Sequence, residues 1–344
     1  MPRRRPTLPS WLPLDPYILV LLGTVALAAL LPARGAAATA AEGASTGAVA
    51  LVFFLYGARL STREVREGLS HWRLHLTVLA CTFAVFPLLG LAARGLVPYV
   101  LAPDLYAGFL FLCLVPSTIQ SSIAFTSIAR GNVAAAICAG SFSSLAGIVL
   151  TPVLAALLIG GATGLSADSA LDIVLQLLVP FAAGQLLRRW IGGFITRHKK
   201  LLGYVDRSSI LFIVYTAFSH GMTAGVWHAV EPRRLVALLG VEAALLAVML
   251  GITSYGSRRL GFGREDRIAI VFAGSKKSLA AGLPMATVLF GAQASLAVLP
   301  LMLFHQMQLM VCAVIARRRS RDPLAAVRIG ELPAPAGESV PAGR

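Results

Sequence analysis

Residues 272–286 read FAGSKKSLAAGLPMA and set two adjacent lysines inside a long apolar stretch. Lys276 follows Arg267 by nine residues, which corresponds to roughly 14 Å of helix. If the stretch crosses a bilayer, Lys276 and Lys277 lie near its middle, where one ammonium costs roughly 2.5–3.5 kcal/mol on insertion scales. The pattern favours a polar cavity within a membrane protein. Snorkelling of both amines to the cytoplasmic interface is the plainer alternative.

A second polar interruption lies earlier in the chain, where residues 116–122 read PSTIQSS within another apolar stretch. Pro116 lacks a backbone N–H and clashes with the preceding turn, so a helix kinks or breaks there. The freed backbone groups need partners in lipid, and the neighbouring polar side chains can supply them. Broken half-helices also present N–H groups and carbonyls near mid-membrane, which bind anions and cations respectively.

The composition indicates that lipid is the main solvent. The 344 residues are 57% hydrophobic and 13% charged, with a mean hydropathy of +0.78, whereas soluble domains carry roughly 25% charged residues. The net charge of +15 lies in short clusters between apolar runs, so nucleic-acid binding is not expected. The four cysteines lie singly in apolar runs, and no disulfide, metal site or cofactor is predicted.

Ten stretches are long enough to span a bilayer, at about 20 residues each. We predict an all-α integral membrane protein with ten transmembrane helices, here called spans 1 to 10, near residues 17–33, 44–60, 74–94, 105–129, 132–159, 170–190, 205–222, 234–256, 266–290 and 294–316. With the N-terminus inside, 24 of the 30 Lys and Arg residues fall on the cytoplasmic side and 4 on the outer side. This asymmetry follows the positive-inside rule and predicts a multi-pass protein of the inner or plasma membrane with both termini in the cytoplasm.

Ten spans divide into two sets of five, and because five is odd the two sets have opposite orientations, as in inverted-repeat transporters. The predicted units are a cytoplasmic N-terminal tail (1–16), a first repeat (17–159), a second repeat (160–318) and a disordered cytoplasmic tail (319–344). The N-terminus also has features of a signal peptide with a cleavage site within 36–41. An uncleaved first helix is favoured because many more spans follow.

The candidate binding residues are the polar side chains of the two interruptions and one glutamine of span 10. They are Ser117, Thr118, Gln120, Ser121, Ser122, Ser275, Lys276, Lys277, Ser278 and Gln306. The predicted helix breaks are Pro116, Gly274, Gly282 and Pro284. His305 and Gln308 could line the same cavity, and Glu242 in span 8 could pair with a lysine or a backbone donor. The charged stretch from Gly57 to Trp72 is interpreted as an interfacial helix.

These segments resemble a known family. Segment 111–134, FLCLVPSTIQSSIAFTSIARGNVA, and segment 272–286 closely resemble the SBF-like branch of the bile acid:sodium symporter superfamily, which includes member seven of solute carrier family 10. FHQMQLMVCAVIARR at 304–318 and YGARLSTREV at 56–65 fit as well. The resemblance covers residues 15–318. It implies ten helices, an inverted five-plus-five repeat, and a panel domain beside a core domain in which discontinuous spans 4 and 9 cross.

The chain departs from the sodium-coupled members at their ligand positions. Those members carry a P-G-G-x-x-S-N-like pattern in span 4 and E-x-G-x-Q-N in span 9. Here Ser122 stands for the Asn, Phe272 for the Glu, and two lysines for the Gln and Asn. A lost carboxylate and two added ammoniums should repel sodium. One lysine ammonium is expected to take the cation's place, with transport either uncoupled or coupled to protons.

The leading functional hypothesis is a secondary transporter of a small organic anion, working by alternating access at the crossing of spans 4 and 9. The alternative is a non-transporting membrane regulator of calcium homeostasis, which eukaryotic relatives suggest. A third hypothesis is an intramembrane enzyme with a Ser–Lys dyad at Ser275 and Lys276 or at Ser278 and Lys277. It is disfavoured because neighbouring helix positions point apart and no oxyanion-hole motif is visible.

Overall fold

A computed structural model describes most of the chain: residues 16–59, 71–160, 167–225 and 231–320. Within these ranges all regular structure is helical and no strand occurs, so the predicted all-α class is confirmed. The predicted N-terminal tail, most of the predicted interfacial stretch and nearly all of the predicted C-terminal tail lie outside the described residues.

Twelve helices, numbered here in chain order, are formed by the described residues. They are α1 (Pro16–Leu30), α2 (Ala36–Arg59), α3 (Trp72–Leu96), α4 (Pro103–Leu114), α5 (Gln120–Ile128), α6 (Val133–Leu158), α7 (Ala167–Arg197), α8 (Lys199–Thr223), α9 (Pro232–Arg259), α10 (Arg264–Gly274), α11 (Leu279–Phe290) and α12 (Ala294–Ser320).

Six of these helices, α2, α3, α6, α8, α9 and α12, are long and apolar enough to cross a membrane, and α4 is a shorter apolar helix. The outer faces of the bundle carry large apolar side chains: Leu76, Leu157 and Leu186 are 57%, 72% and 72% exposed. A soluble monomer rarely leaves so much apolar surface to water. Lipid is therefore the environment that matches this surface.

The helices pack in two groups. Helices α1, α2, α7 and α8 form one group, here called the four-helix group, and α3 to α6 with α9 to α12 form the other, the eight-helix group. Gly57 and Gly184 bring α2 and α7 into backbone contact, because a Cβ at either position would lie about 2 Å from a carbonyl oxygen of the facing helix. Small residues allow this close approach between helices in lipid.

Helix α3 carries a π-helical turn at Cys81–Val85. A π turn changes the regular i→i−4 bonding and leaves backbone groups available to other partners, and such turns recur at functional sites. Cys81 and Thr82 of this turn are buried, and Cys81 lies against Gly274, the last residue of α10.

Candidate functional site

Two helix breaks meet at the centre of the eight-helix group. The first break, residues 115–119, separates α4 from α5, and the second break, residues 275–278, separates α10 from α11. Pro116 lies in the first break, and the residue before it, Val115, has the extended backbone that a following proline favours. Gly274 is the last residue of α10, directly before the second break.

Gly282 and Pro284 do not break a helix, and this part of the prediction is wrong. Both residues lie inside α11. Pro284 is in the second turn, and the helix continues past its one missing backbone bond, as membrane helices tolerate. Gly282 serves packing instead: a Cβ there would lie 2.4 Å from Leu301 Cδ2 of α12.

The two breaks are bonded directly to each other. The backbone N–H of Ser278 donates to the carbonyl of Pro116 at 2.8 Å. In the other direction, Ser117 Oγ donates to the carbonyl of Ala273 at 2.5 Å. Each break therefore supplies partners for backbone groups that the other break frees, as burial requires.

Hydroxyl groups satisfy the carbonyl end of α10. Ser122 Oγ lies 3.0 Å from the carbonyl of Phe272, and Ser275 Oγ donates to the carbonyl of Val271 at 2.6 Å. These two hydroxyls, with that of Ser117, are fully buried. The end of α10 thus meets neutral dipoles.

An ammonium satisfies the carbonyl end of α4. Lys277 Nζ donates to the carbonyls of Cys113 and Val115, each at 2.8 Å, and to that of Thr82 in the π turn at 2.9 Å. It also lies 4.1 Å from the ring centre of Phe86. All three ammonium protons have an acceptor. The negative end of the α4 dipole adds to the attraction, so Lys277 acts as a covalently attached cation.

Lys276 points to a different environment. Within the described part of the chain, its Nζ donates to Ser121 Oγ at 3.1 Å and lies 4.6 Å from the ring centre of Phe125 and 5.7 Å from that of Phe272. Lys276 and Lys277 are both 0% exposed, so the snorkelling alternative is wrong. One acceptor for three N–H donors leaves Lys276 with donors for a further partner.

Gln308, rather than Gln306, holds the second break. Gln308 Oε1 accepts from the backbone N–H of Lys277 and its Nε2 donates to the Lys277 carbonyl, both at 2.8 Å, and Nε2 also lies 2.8 Å from His305 Nδ1. Both amide atoms of Gln306 are buried without a partner within the described residues. Residues two apart on a helix point about 200° apart, so the two glutamines cannot face the same site.

The remaining predicted residues have local roles. Ser278 Oγ accepts from the N–H of Ala281 and caps α11. Ser121 Oγ is 3.5 Å from Thr118 Oγ1, while the Thr118 carbonyl accepts from Ser122 Oγ at 2.6 Å. Gln120 is exposed at the first residue of α5.

Three partner residues were not in the predicted site. Ser143 Oγ accepts from the N–H of Ser117 at 2.9 Å, and Thr151 Oγ1 donates to the carbonyl of Leu114 at 2.9 Å. Ser143 and Thr151 lie eight residues apart on α6, and two polar residues at this spacing in an apolar span could have indicated a polar face of the helix. Thr82 contributes its carbonyl through the π turn, which the residues CTFAV do not indicate.

Two further expectations are corrected by the geometry. Glu242 does not pair with a lysine or a backbone donor of the described residues, because both carboxyl oxygens are buried without a hydrogen-bond partner among them. The Ser–Lys dyad is not formed either: Ser275 Oγ donates to a backbone carbonyl and Ser278 Oγ accepts from a backbone N–H. Neither hydroxyl is hydrogen-bonded to an ammonium.

A cleft of about 620 Å³ lies between α5 and the adjoining ends of α2, α7 and α8. Gln120 reaches it from the first break. Arg59 and Asp206 pair across its wall at 3.0 Å. Five of its lining side chains are basic and one is acidic: Arg59, Arg188, Lys199, Lys200 and Arg207, against Asp206. A concave surface with this balance attracts anions.

The chain matches the model of the SBF-like CPA transporter family over residues 15–321. It is 54% identical over 330 residues to an uncharacterized protein of Pseudomonas aeruginosa, covering 94% of this chain and 98% of the relative. It is 49% identical over 312 residues to the Escherichia coli protein named "Putative symporter YfeH", covering 90% and 94%. It is 31% identical over 277 residues to the mouse protein named "Sodium/bile acid cotransporter 7", covering 78% and 80%.

The family match extends over all twelve helices and both breaks, and the relatives are matched over most of their own length. The names that the Escherichia coli and mouse relatives carry are those of transporters rather than enzymes. This multi-pass helical membrane protein belongs to the SBF-like CPA transporter family, within the bile acid:sodium symporter superfamily that its motifs resemble.

Proposed function

We propose that this protein is a secondary transporter that carries a small organic anion by alternating access at the crossing of the two breaks. The main support for the proposal is the environment of Lys276. Its ammonium is buried and, among the described residues, donates one hydrogen bond, to Ser121 Oγ, so its other N–H groups can bind a further acceptor. A carboxylate or similar anion would complete that set with charge-assisted hydrogen bonds. The basic cleft would give an anion access to Lys276, since Gln120 lines the cleft and is next in sequence to Ser121, the acceptor of Lys276.

We propose the following membrane arrangement. Helices α4 and α5 together make one span, as do α10 and α11, which gives ten spans in two inverted repeats (17–159 and 160–318) between cytoplasmic tails. The four-helix group is the panel domain and the eight-helix group is the core domain. Access alternates as the core rocks against the panel in the inner or plasma membrane. The matching order of short helix, break, short helix and long helix in α4–α6 and α10–α12 supports the repeat.

Sodium coupling is not part of the proposal. Lys277 places an ammonium on three backbone carbonyls at the end of α4. Carbonyls at half-helix ends are the groups that hold a coupling cation in broken-helix transporters. A fixed positive charge at such a place would repel a second cation.

Uptake into proteoliposomes tests the transport proposal. Radiolabelled taurocholate, succinate and benzoate cover a bulky, a divalent and a small anion, each assayed with sodium or choline as the cation. We expect at least one to accumulate equally in both salts, and Lys276→Ala to lower its uptake roughly tenfold or more, because a charge-assisted hydrogen bond contributes about 1.5–3 kcal/mol. Ser127→Ala, an exposed serine of α5, is the matched control.

Three results would overturn parts of the proposal. Failure of every anion to enter would favour the alternative of a non-transporting regulator of calcium homeostasis, which deletion strains with a cytosolic calcium reporter can examine. If the Lys276→Ala variant takes up the anion as well as wild type, Lys276 does not bind the substrate. Uptake that requires sodium would contradict the proposal that the ammonium of Lys277 takes the place of a coupling cation.

A further inference from the structure

Glu242 is a carboxyl group sealed inside the eight-helix group. It lies in α9, is 0% exposed, and has no hydrogen-bond partner for either oxygen within the described residues. The same buried face of α9 is otherwise apolar around it, with Leu238, Leu245, Leu246 and Met249. An ionised carboxylate without a donor is very costly in such a place, so the group must carry a proton in this conformation.

Glu242 lies on the buried face of α9, the helix that packs against α10 and α12. Cys113, in the last turn of α4, belongs to the same buried core as the apolar neighbours of Glu242 on this face. The Cys113 carbonyl also accepts from Lys277 Nζ. Further along the same face of α9, Thr253 meets the second break, since a Cβ at Gly274 would lie 3.1 Å from Thr253 Cγ2. A movement of the breaks would therefore change the surroundings of α9.

Other charged groups on the elements packed against α9 are distant. Helices α10 and α12 contact α9, and their charged side chains lie near its far end, where Arg319 reaches Ser254. Ser254 is twelve residues from Glu242, or roughly 18 Å of helix. The titratable groups near Glu242 are thus Cys113 and, beyond it, Lys277 and Cys81.

A fixed ammonium cannot drive transport by moving with the substrate. Lys277 stays attached to the chain, so it can fill a cation site but cannot dissipate an ion gradient by leaving it. Accumulation of a solute by symport with an ion needs a group that takes up the ion on one side and releases it on the other. A carboxyl group that is occluded in one conformation and hydrated in another meets this need with a proton.

We propose that Glu242 is the proton-binding site that couples this protein to the proton gradient, a role that rests on the transport function proposed above. The carboxylate takes one proton from water on the side where α9 opens, is neutral while occluded, and returns that proton to water on the other side. The anion and the proton move in the same direction. No oxidant, metal or further reactant takes part.

Infrared spectroscopy of the protein in lipid nanodiscs tests the site without a substrate. At neutral pH, wild type is expected to have a protonated-carboxyl band that Glu242→Gln lacks, and raising the pH should remove this band reversibly. Glu265→Gln, at an exposed carboxyl in the first turn of α10, should leave the band unchanged. Absence of a band that depends on Glu242, or a band that survives to the highest pH at which the protein stays folded, overturns the proposal.

Transport assays separate this proposal from the transport function itself. With any anion of the panel that enters, an inward gradient of one pH unit should support up to about tenfold accumulation for one proton per monovalent anion. Glu242→Gln should abolish this accumulation but keep exchange of labelled for unlabelled anion within about twofold of wild type. Proton-driven accumulation that persists in Glu242→Gln would assign coupling to another group, such as a lysine. Loss of exchange in wild type would instead overturn the transport function, while the infrared result still decides whether Glu242 exchanges a proton.

Discussion

The two breaks differ in what meets the carbonyl end of the half-helix that precedes them. The end of α4 meets an ammonium that binds three carbonyls, whereas the end of α10 meets serine hydroxyls. The ammonium comes from the second break, whereas the hydroxyls come from the first break (Ser117), from α5 (Ser122) and from the second break itself (Ser275). Two breaks in corresponding positions of the chain therefore satisfy their buried carbonyls in different ways. At the end of α4 the donor is a full positive charge, and at the end of α10 the donors are neutral hydroxyl dipoles.

The largest expected effect comes from removing the charge at the end of α4. Lys277→Met keeps the unbranched shape and most of the length of the side chain but leaves three buried carbonyls without this donor. Each unpartnered buried group costs about 1–3 kcal/mol, so we expect the free energy of unfolding to fall by about 3 kcal/mol or more. Unfolding by sodium dodecyl sulfate in mixed micelles measures this change. A variant as stable as wild type would mean that Lys277 is dispensable for the first break.

Removing the glutamine that holds the second break should have the next largest effect. Gln308→Ala deletes two hydrogen bonds to the buried backbone of Lys277, and we expect a loss of about 2–4 kcal/mol in the same assay. Gln306→Ala is the matched control: its amide has no partner in the part of the chain that the structure describes, so its loss should lower the free energy of unfolding by less than about 0.5 kcal/mol or raise it. Equal effects of the two substitutions would contradict the assignment of Gln308.

Substitutions of the serines at the end of α10 should lower the free energy of unfolding less than substitution of Lys277. Ser122→Ala removes one neutral hydrogen bond to the end of α10, worth about 1 kcal/mol. Ser127→Ala, on the exposed face of the same helix, shares the change in helix propensity and should stay within about 0.5 kcal/mol of wild type. A loss from Ser122→Ala as large as that from Lys277→Met would erase the proposed difference between the breaks.

The smallest expected effect on stability belongs to Lys276. Lys276→Met removes one hydrogen bond and two aromatic contacts, but it also removes a buried charge that is costly to desolvate. These effects oppose each other, so we expect the free energy of unfolding to change by less than about 1 kcal/mol in either direction. Together with a loss of anion uptake, this result would separate a structural lysine from a functional one. A loss above about 3 kcal/mol would make both lysines structural.

The sequence predicted both breaks because their causes are local. Pro116 removes a backbone donor, and a run of polar residues around Lys276 and Lys277 cannot lie in lipid without a shared cavity. That an ammonium takes the place of a coupling cation stays a prediction, and the sequence did not indicate which of the two lysines would bind the carbonyls at the end of α4. Two adjacent residues on an irregular segment can point either way, and the choice depends on where the ends of α4 and α10 lie in space.

Other features of the site depend on how the helices pack against one another, which the pattern of a single sequence does not specify. The rotation of α12 about its axis decides between Gln306 and Gln308, and an apolar helix buried on several sides has little amphipathic signal to set it. Thr82 takes part because α3 makes a π turn, and Pro87, which has no N–H to donate to the preceding turn, lies two residues after it. Gly282 and Pro284 were misread because residues that weaken an isolated helix can serve packing or be tolerated within a turn.

The order of synthesis adds a consequence to the contact between Lys277 and the end of α4. The ammonium is separated by 164 and 162 residues from Cys113 and Val115, whose carbonyls it binds. At about 5–20 residues per second, a ribosome needs roughly 10–30 s to make that stretch. During biogenesis the end of α4 must therefore wait beside water, lipid headgroups or an insertion partner, and the first half of the chain cannot mature before most of the second half has been made.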